Sequence, residues 1–267
     1  TIFLSLNKKT INYMKNLILT LALIFTFNAT SQIAVMTAVD LKDGAEDDYL
    51  KLEKFYSAVH KEAIKQGFRT GWSLWKAPNN PDDPTAPEYI LFDNFTEEQY
   101  EAAQNGNGPN GLDIAKEIYK GKMSRRAIEK MAGSWQDTSN ERRSYVLKLV
   151  DATILAGGDI KPGDQVSINF MSKKTDDFEN YETKVWKPVA EKNILMGNLR
   201  QWALVEAIGR SENAYDNWSH LVFNLRAANP GEGYSPSGFK WEKLWEGIES
   251  SRDMSDPTIL TCVMVVQ

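Results

Sequence analysis

The sequence is poor in the residues that most often carry metal or redox chemistry. Its 267 residues include one cysteine and two histidines. One cysteine cannot form an intramolecular disulfide, and two histidines without regularly spaced carboxylates match no pattern of metal ligands. We therefore predict no metal site. The thiol, Cys262, lies in the apolar run 259–266, where a buried and unreactive cysteine is expected.

Sequence motifs that identify a reaction are also missing. The chain has no nucleophile elbow with a Ser/His/Asp order, and its glycine-rich stretch 105–111 does not follow a strand as a phosphate-binding loop would. Positive charge is scarce as well: the net charge is −5, and about −8 without the three lysines of residues 1–31. An acidic chain is poorly suited to nucleic acid or anionic membranes, so we predict neither as a partner.

Residues 1–31 have the pattern of a secretory signal peptide preceded by upstream sequence, residues 1–13. Met14 and Lys15 lead into the apolar run 17–27, and Ala29-Thr-Ser31 is a small-residue cleavage site. The run is shorter than the roughly 20 residues of a membrane span, and without a cysteine at the cleavage site no lipid anchor is expected. We predict export to the periplasm or the medium.

One stretch of the chain occurs twice. Residues 53–74 return as residues 182–204, with a Val, an Ile, a Gly and a Trp-x-Leu in matching places where a helix leads into a strand. The offset is 129 at the start and 130 at the end: Glu53 matches Glu182, whereas Gly67 and Trp72 match Gly197 and Trp202. The second copy thus holds one extra residue near Pro188, where we expect a proline kink or a π-bulge.

Hydrophobic periodicity predicts the order strand, helix, strand, strand, helix, strand, followed by the same order again. This order is the βαββαβ ferredoxin-like unit, so the predicted fold class is α+β with two tandem ferredoxin-like repeats. The first repeat is expected over residues 32–155 and the second over residues 165–267. The turn-rich stretch 156–164 is the predicted linker.

Two tandem units with this helix, Gly and Trp signature resemble the dimeric α+β barrel superfamily in a fused form. The superfamily includes antibiotic-biosynthesis-type and haem-degrading monooxygenases and NIPSNAP-like proteins. The resemblance implies two sheets that face each other in an intramolecular α+β barrel, with ligands between sheet and helix or in the barrel. It implies a monomer with a pseudo-dimeric barrel, or a weak homo-oligomer. It permits haem on His60 or His220, although we predict no cofactor.

Strand alternation suggests a polar and aromatic site in the second repeat. We expect the apolar residues of strands 166–171 and 218–225 to pack under helices, so that the alternate residues point into the barrel. The catalytic candidates are then His220 and Asn169, with Trp218 and Asn224 as ligand-binding neighbours. The first repeat has Ile90 where the second has His220. The alternative is that His220 is a hydrogen-bonded wall residue of a filled barrel.

Three further aromatic residues and one histidine are candidates for ligand binding. Trp72 and Trp202 recur at matched positions, and Trp186 matches Tyr56. Such residues fill a core or line a pocket for a planar apolar ligand. His60, on the flank of the first helix, is predicted either as a structural residue or as a ligand or proton-transfer group.

These observations leave three functional hypotheses. The first is an exported barrel protein that binds a small apolar or aromatic molecule and performs no reaction. The second is a cofactor-independent or haem-type monooxygenase, which requires an open cavity beside His220. The third is a stress-response or interaction module that acts through its surface.

Overall fold

A computed structural model describes residues 32–80, 86–108 and 110–267, which belong to one compact unit. The expected signal peptide lies outside the described residues. The strands are β1 (Gln32–Leu41), β2 (Gly71–Lys76), β3 (Tyr89–Thr96), β4 (Ser139–Ala152), β5 (Gln165–Lys173), β6 (Leu199–Arg210), β7 (His220–Arg226), β8 (Arg252–Met254) and β9 (Thr258–Val266). The helices are α1 (Glu46–Lys65), α2 (Glu97–Gln104), α3 (Gly111–Ile118), α4 (Arg125–Gly133), α5 (Trp135–Thr138), α6 (Phe178–Asn180), a π-helix (Tyr181–Trp186), α7 (Lys187–Leu195) and α8 (Phe239–Ser251).

Eight of the strands close an antiparallel barrel. The order around it is β1-β3-β2-β9-β5-β7-β6-β4 and back to β1, while β8 pairs only with one end of β5. Strands β1 to β4 pair in the order β4-β1-β3-β2, and the later four pair in the corresponding order β9-β5-β7-β6. The two four-stranded halves meet through β2–β9 and β4–β6. The predicted α+β class and closed barrel are confirmed.

The barrel interior is apolar, which corrects the predicted strand faces. Phe92 of the first half and Phe223 of the second meet there edge to face, with ring centroids 5.2 Å apart. The residues of β5 and β7 that fill the interior are Val166, Ile168, Phe170, Leu221, Phe223 and Leu225. They were expected under the helices. Because the closed barrel offers few hydrogen-bond partners, the apolar set is buried inside it and the polar set lies outside.

Helix α1 covers the outer face of the first sheet. It buries Leu52, Phe55, Val59 and Ala63, which recur at three- and four-residue steps. Gly67 ends the helical segment with a φ of 79°, a left-handed conformation that favours glycine. A capping box opens α2, where the side chains and backbone amides of Thr96 and Gln99 bond reciprocally.

The matching helical region of the second half contains the irregularity that its extra residue predicts. Six residues from Tyr181 to Trp186 are π-helical, and α7 follows directly. Pro188 lies in the first turn of α7, directly after the π-helical residues, so its missing N–H removes one hydrogen bond from a continuous helical segment. The π-helix beside it accommodates the extra residue. In the described part of the chain no helix is long and apolar enough to cross a membrane.

Candidate functional site

His220 lies beneath the helices of the second half and not in the barrel. Its side chain is 2% exposed, and its ring packs against Phe178 with centroids 4.8 Å apart. Nδ1 is 2.9 Å from the Ser219 hydroxyl, and Nε2 is 3.4 Å from a carboxylate oxygen of Glu179. Burial lowers the pKa of His220, and Glu179 opposes this effect. The ring is enclosed by Phe178, Ser219 and Glu179, so a haem on His220 does not fit.

Asn169 and Asn224 share the outer sheet face with His220, so these three lie on one face as predicted, although it is the opposite face. Trp218, which was expected beside them, lies in the barrel. Asn169 donates from Nδ2 to the Ser255 carbonyl at 3.0 Å. Asn224 lies opposite Trp202 in the β6–β7 pair.

The expected match between His220 and Ile90 is also wrong. Trp72 pairs across the sheet with Asp93, whereas Trp202 pairs with Asn224. In this strand, equivalent residues of the two halves are therefore 131 positions apart in the sequence. The residue of the first half that is equivalent to His220 is Tyr89. The contacts agree, because Tyr89 packs on Tyr49 at 5.0 Å much as His220 packs on Phe178. His220 occupies an aromatic packing position.

The four predicted tryptophans lie in three separate places. Trp72 and Trp202 are buried on the outer faces of the two sheets, and neither indole N–H finds a partner among the described residues. Trp218 lies in the barrel, 4.9 Å from the ring of Tyr145. Trp186 packs on Trp245 beside a surface groove. These residues do not converge on one site.

His60, by contrast, adjoins an open cleft between α1, α2 and the end of β3. The cleft has a volume of about 620 Å³, within the range of small-molecule sites. Most of its wall is apolar or aromatic: Tyr56, Val59, Ala63, Phe68, Phe95, Ala102, Ala103 and Ile114. Its polar side chains include His60, Arg69 and Gln99.

The ring of His60 is held on three sides. It stacks on Trp72 with centroids 4.8 Å apart and planes at 12°. Its Nδ1 lies 2.6 Å from Nη1 of Arg69. This Arg69 nitrogen also forms an ion pair with Asp93. Asp93 Oδ1 is 3.7 Å from Nδ1. Since a guanidinium only donates, Nδ1 of His60 accepts, which places the ring proton on Nε2.

Electrostatics keeps this imidazole neutral. Burial, and then the positive charge of Arg69, lower the pKa of His60 well below its usual 6.5. Nε2–H has no hydrogen-bond partner in the described part of the chain, although the ring lines the cleft. The buried Nε of Arg69 also lacks a partner there. The cleft wall thus carries one N–H group, that of His60, suited to an oxygen acceptor.

The positions that match His60 and Arg69 are apolar in the second half. The repeat places Ala190 opposite His60 and Leu199 opposite Arg69. Both pack with Trp202 and Phe178 in one apolar cluster. The two halves therefore differ at this position, and the first half holds the cleft. Sequence reasoning named His60 but missed Arg69 and Asp93, although a polar-to-apolar mismatch between the two copies would have indicated Arg69.

No protein-family model and no curated protein matches the chain by sequence. Among solved structures, a "putative monooxygenase" from Fusobacterium nucleatum subsp. nucleatum aligns with a TM-score of 0.53 at 9% identity, over 90% of this chain and 95% of its own. A "putative monooxygenase" from Lactobacillus acidophilus aligns with a TM-score of 0.51 at 12% identity, over 89% and 96%. An anthrone oxidase-like protein gives 0.50 at 7% identity, over 90% and 94%. At such identities the likeness shows a shared fold, the ferredoxin-like α+β barrel.

Proposed function

We propose that the chain binds a small, flat and largely apolar molecule in the His60 cleft. The observation that supports this most directly is the neutral imidazole of His60, which lines a cavity of about 620 Å³ and whose Nε2–H has no hydrogen-bond partner among the described residues. The apolar wall provides the binding area, and the donor orients an oxygen of the ligand. A carbonyl or phenol oxygen on an aromatic ring system matches both features.

The test compares the same substitution at the two histidines. With 9-fluorenone, a planar aromatic ketone, as the probe, we expect His60→Phe to weaken binding about two- to tenfold, the loss of one hydrogen bond. Phenylalanine keeps an aromatic ring on Trp72 but removes the donor. His220→Phe should leave the affinity unchanged. Titration calorimetry measures both constants, and equal effects of the two variants would contradict the proposal.

Binding should also be insensitive to mild acid. Because the pKa of His60 is well below 6.5, the ring stays neutral, and the dissociation constant of the wild-type protein should be the same at pH 6.5 and pH 8.

A monooxygenase is the second candidate, and the descriptions of the three similar structures favour it. In such a reaction anthrone loses a ring CH₂ proton to a base in solution, and the resulting enolate reduces O₂. One oxygen atom becomes the new carbonyl of the quinone and the other leaves as water, while His60 Nε2–H would stabilise the enolate oxygen. Removing a donor of this kind typically lowers kcat by about 10²–10³. We expect O₂ uptake with anthrone to require the wild-type protein and to fall accordingly in His60→Phe. A rate equal to that of buffer would leave binding as the function.

Two further proposals concern the whole chain. Export, to the periplasm or the medium, is supported by the signal-peptide pattern of residues 14–31, and N-terminal sequencing of the mature protein would test it. A tandem duplication is supported by the matched pairing order of the halves. Since one chain closes the barrel, we expect a monomer in size-exclusion with light scattering.

A further inference from the structure

One end of the barrel contains a second cavity, separate from the His60 cleft. Its volume is about 670 Å³, and it shares no lining residue with that cleft. It lies inside the barrel, whereas the cleft lies outside the first sheet. Small side chains leave the space open, among them Ala38 of β1 and Ala77 after β2.

Closed eight-stranded barrels are usually filled by side chains, and larger interior spaces hold a ligand. Here the middle of the barrel is filled, with Phe92 against Phe223. Towards the second cavity the wall is apolar and includes Met36, Ile90, Ile168, Phe170 and Trp218. An unfilled apolar space of this size costs packing energy, so its occupation by an apolar molecule would be favourable.

Polar side chains are found mainly near the cavity mouth, and they indicate the charge of the ligand. The one guanidinium on the wall, Arg143, donates to a Glu141 carboxylate oxygen at 2.9 Å. It also lies 4.6 Å from the ring centroid of Tyr215. The charge of Arg143 is therefore compensated within the protein. The carboxylate on the wall, that of Asp253, forms an ion pair with Lys174 and is compensated as well. Asn79 and Asn217 add uncharged polar groups.

We propose that this end of the barrel binds a neutral lipophilic molecule, with its apolar body among Met36, Ile90 and Phe170 and a polar end at the mouth. Such a molecule is expected to bind whether or not the His60 cleft is occupied, because the sheet separates the two sites. The proposal therefore does not depend on the function of the cleft.

The matched test uses two alanines of β1 whose side chains line opposite ends of the barrel. Ala38 lines the proposed site, and Ala34 lines a smaller cavity of about 350 Å³ at the other end. With the fluorescent lipophile N-phenyl-1-naphthylamine, we expect Ala38→Phe to weaken binding at least tenfold. Ala34→Phe should change it less than twofold. Equal effects of the two variants, or no binding by the wild type, would overturn the proposal.

A measurement on the wild-type protein decides the case if either variant fails to fold. Photo-crosslinking with benzophenone, a neutral lipophile, should label peptides that contain Met36 or Met254, which line the cavity. Labelling confined to residues 56–69, at the His60 cleft, would reject the barrel site. The same result would support the cleft, so the two proposals are tested separately.

Discussion

Replacing Glu182 by glutamine should destabilise the protein by about 3–5 kcal/mol, the usual cost of removing one partner of a buried ion pair. Glu182 belongs to the π-helix and its side chain is fully buried. Its Oε1 lies 2.7 Å from Nε of Arg252, whose side chain is 6% exposed. Burial raises the pKa of the Glu182 carboxyl, and Arg252 opposes this effect, so the cost of the substitution comes from the buried charge of Arg252. Glutamine would leave the Arg252 charge buried and uncompensated.

Urea unfolding at pH 7 measures the effect. Glu191→Gln, at an exposed position of α7, is the control and should change the unfolding free energy by less than about 0.5 kcal/mol. Adding Arg252→Met to Glu182→Gln removes the stranded charge and should recover much of the loss. A single variant as stable as the wild type would show that Arg252 is solvated in the native protein.

Replacing Glu53 by glutamine should have the opposite sign and depend on pH. Glu53 is the counterpart of Glu182 in α1, but its nearest cation, Arg142, is 4.0 Å away and 26% exposed. Burial, partly offset by Arg142, raises the pKa of Glu53 from 4.5 to about 7. Each pKa unit corresponds to about 1.4 kcal/mol, so the ionised carboxylate costs the native state about 3 kcal/mol.

The direction of the pH effect follows from proton binding. Between pH 4.5 and 7 the native carboxyl binds more protons than the unfolded one, so this group lowers the stability as the pH rises. Glu53→Gln should therefore be more stable than the wild type at pH 9, by up to about 3 kcal/mol, and the difference should disappear as the pH falls below about 4. His60, with its lowered pKa, has the opposite trend below pH 6.5, but it is present in both proteins and cancels. Equal stabilities at pH 9 would contradict the pKa of Glu53.

Periodicity and the internal match were sufficient to predict two βαββαβ halves, and the resemblance to dimeric α+β barrels implied their closure into one barrel. The strand expected at 166–171 is observed as Gln165–Lys173. The extra residue of the second copy was predicted near Pro188, and the π-helix Tyr181–Trp186 is observed just before that residue. Alternation correctly separated the two faces of β7, but it carries no information on which face is inside. The polar face lies under the helices because Ser219 and Glu179 are available there as partners of His220.

The site itself was harder to predict, for a physical reason. His60, Arg69 and Asp93 come from a helix, a turn and a strand, and only the pairing of Trp72 with Asp93 brings the third residue to the other two. The offset between the copies increases from 130 to 131 in the loop before β3. A comparison that keeps the offset at 130 therefore matched His220 with Ile90, a residue of the barrel interior. It led to the prediction of a site in the second half that the structure does not show.

The closure of the barrel within a single chain has a consequence for how the protein can vary. In a barrel assembled from two identical chains, every substitution is made twice, and a change that suits one cleft must be tolerated in its copy. Here one polypeptide forms both halves, so a substitution changes only one of two equivalent positions. Arg69 is able to serve a ligand while Leu199 completes a core, and mutations in one half are inherited independently of the other.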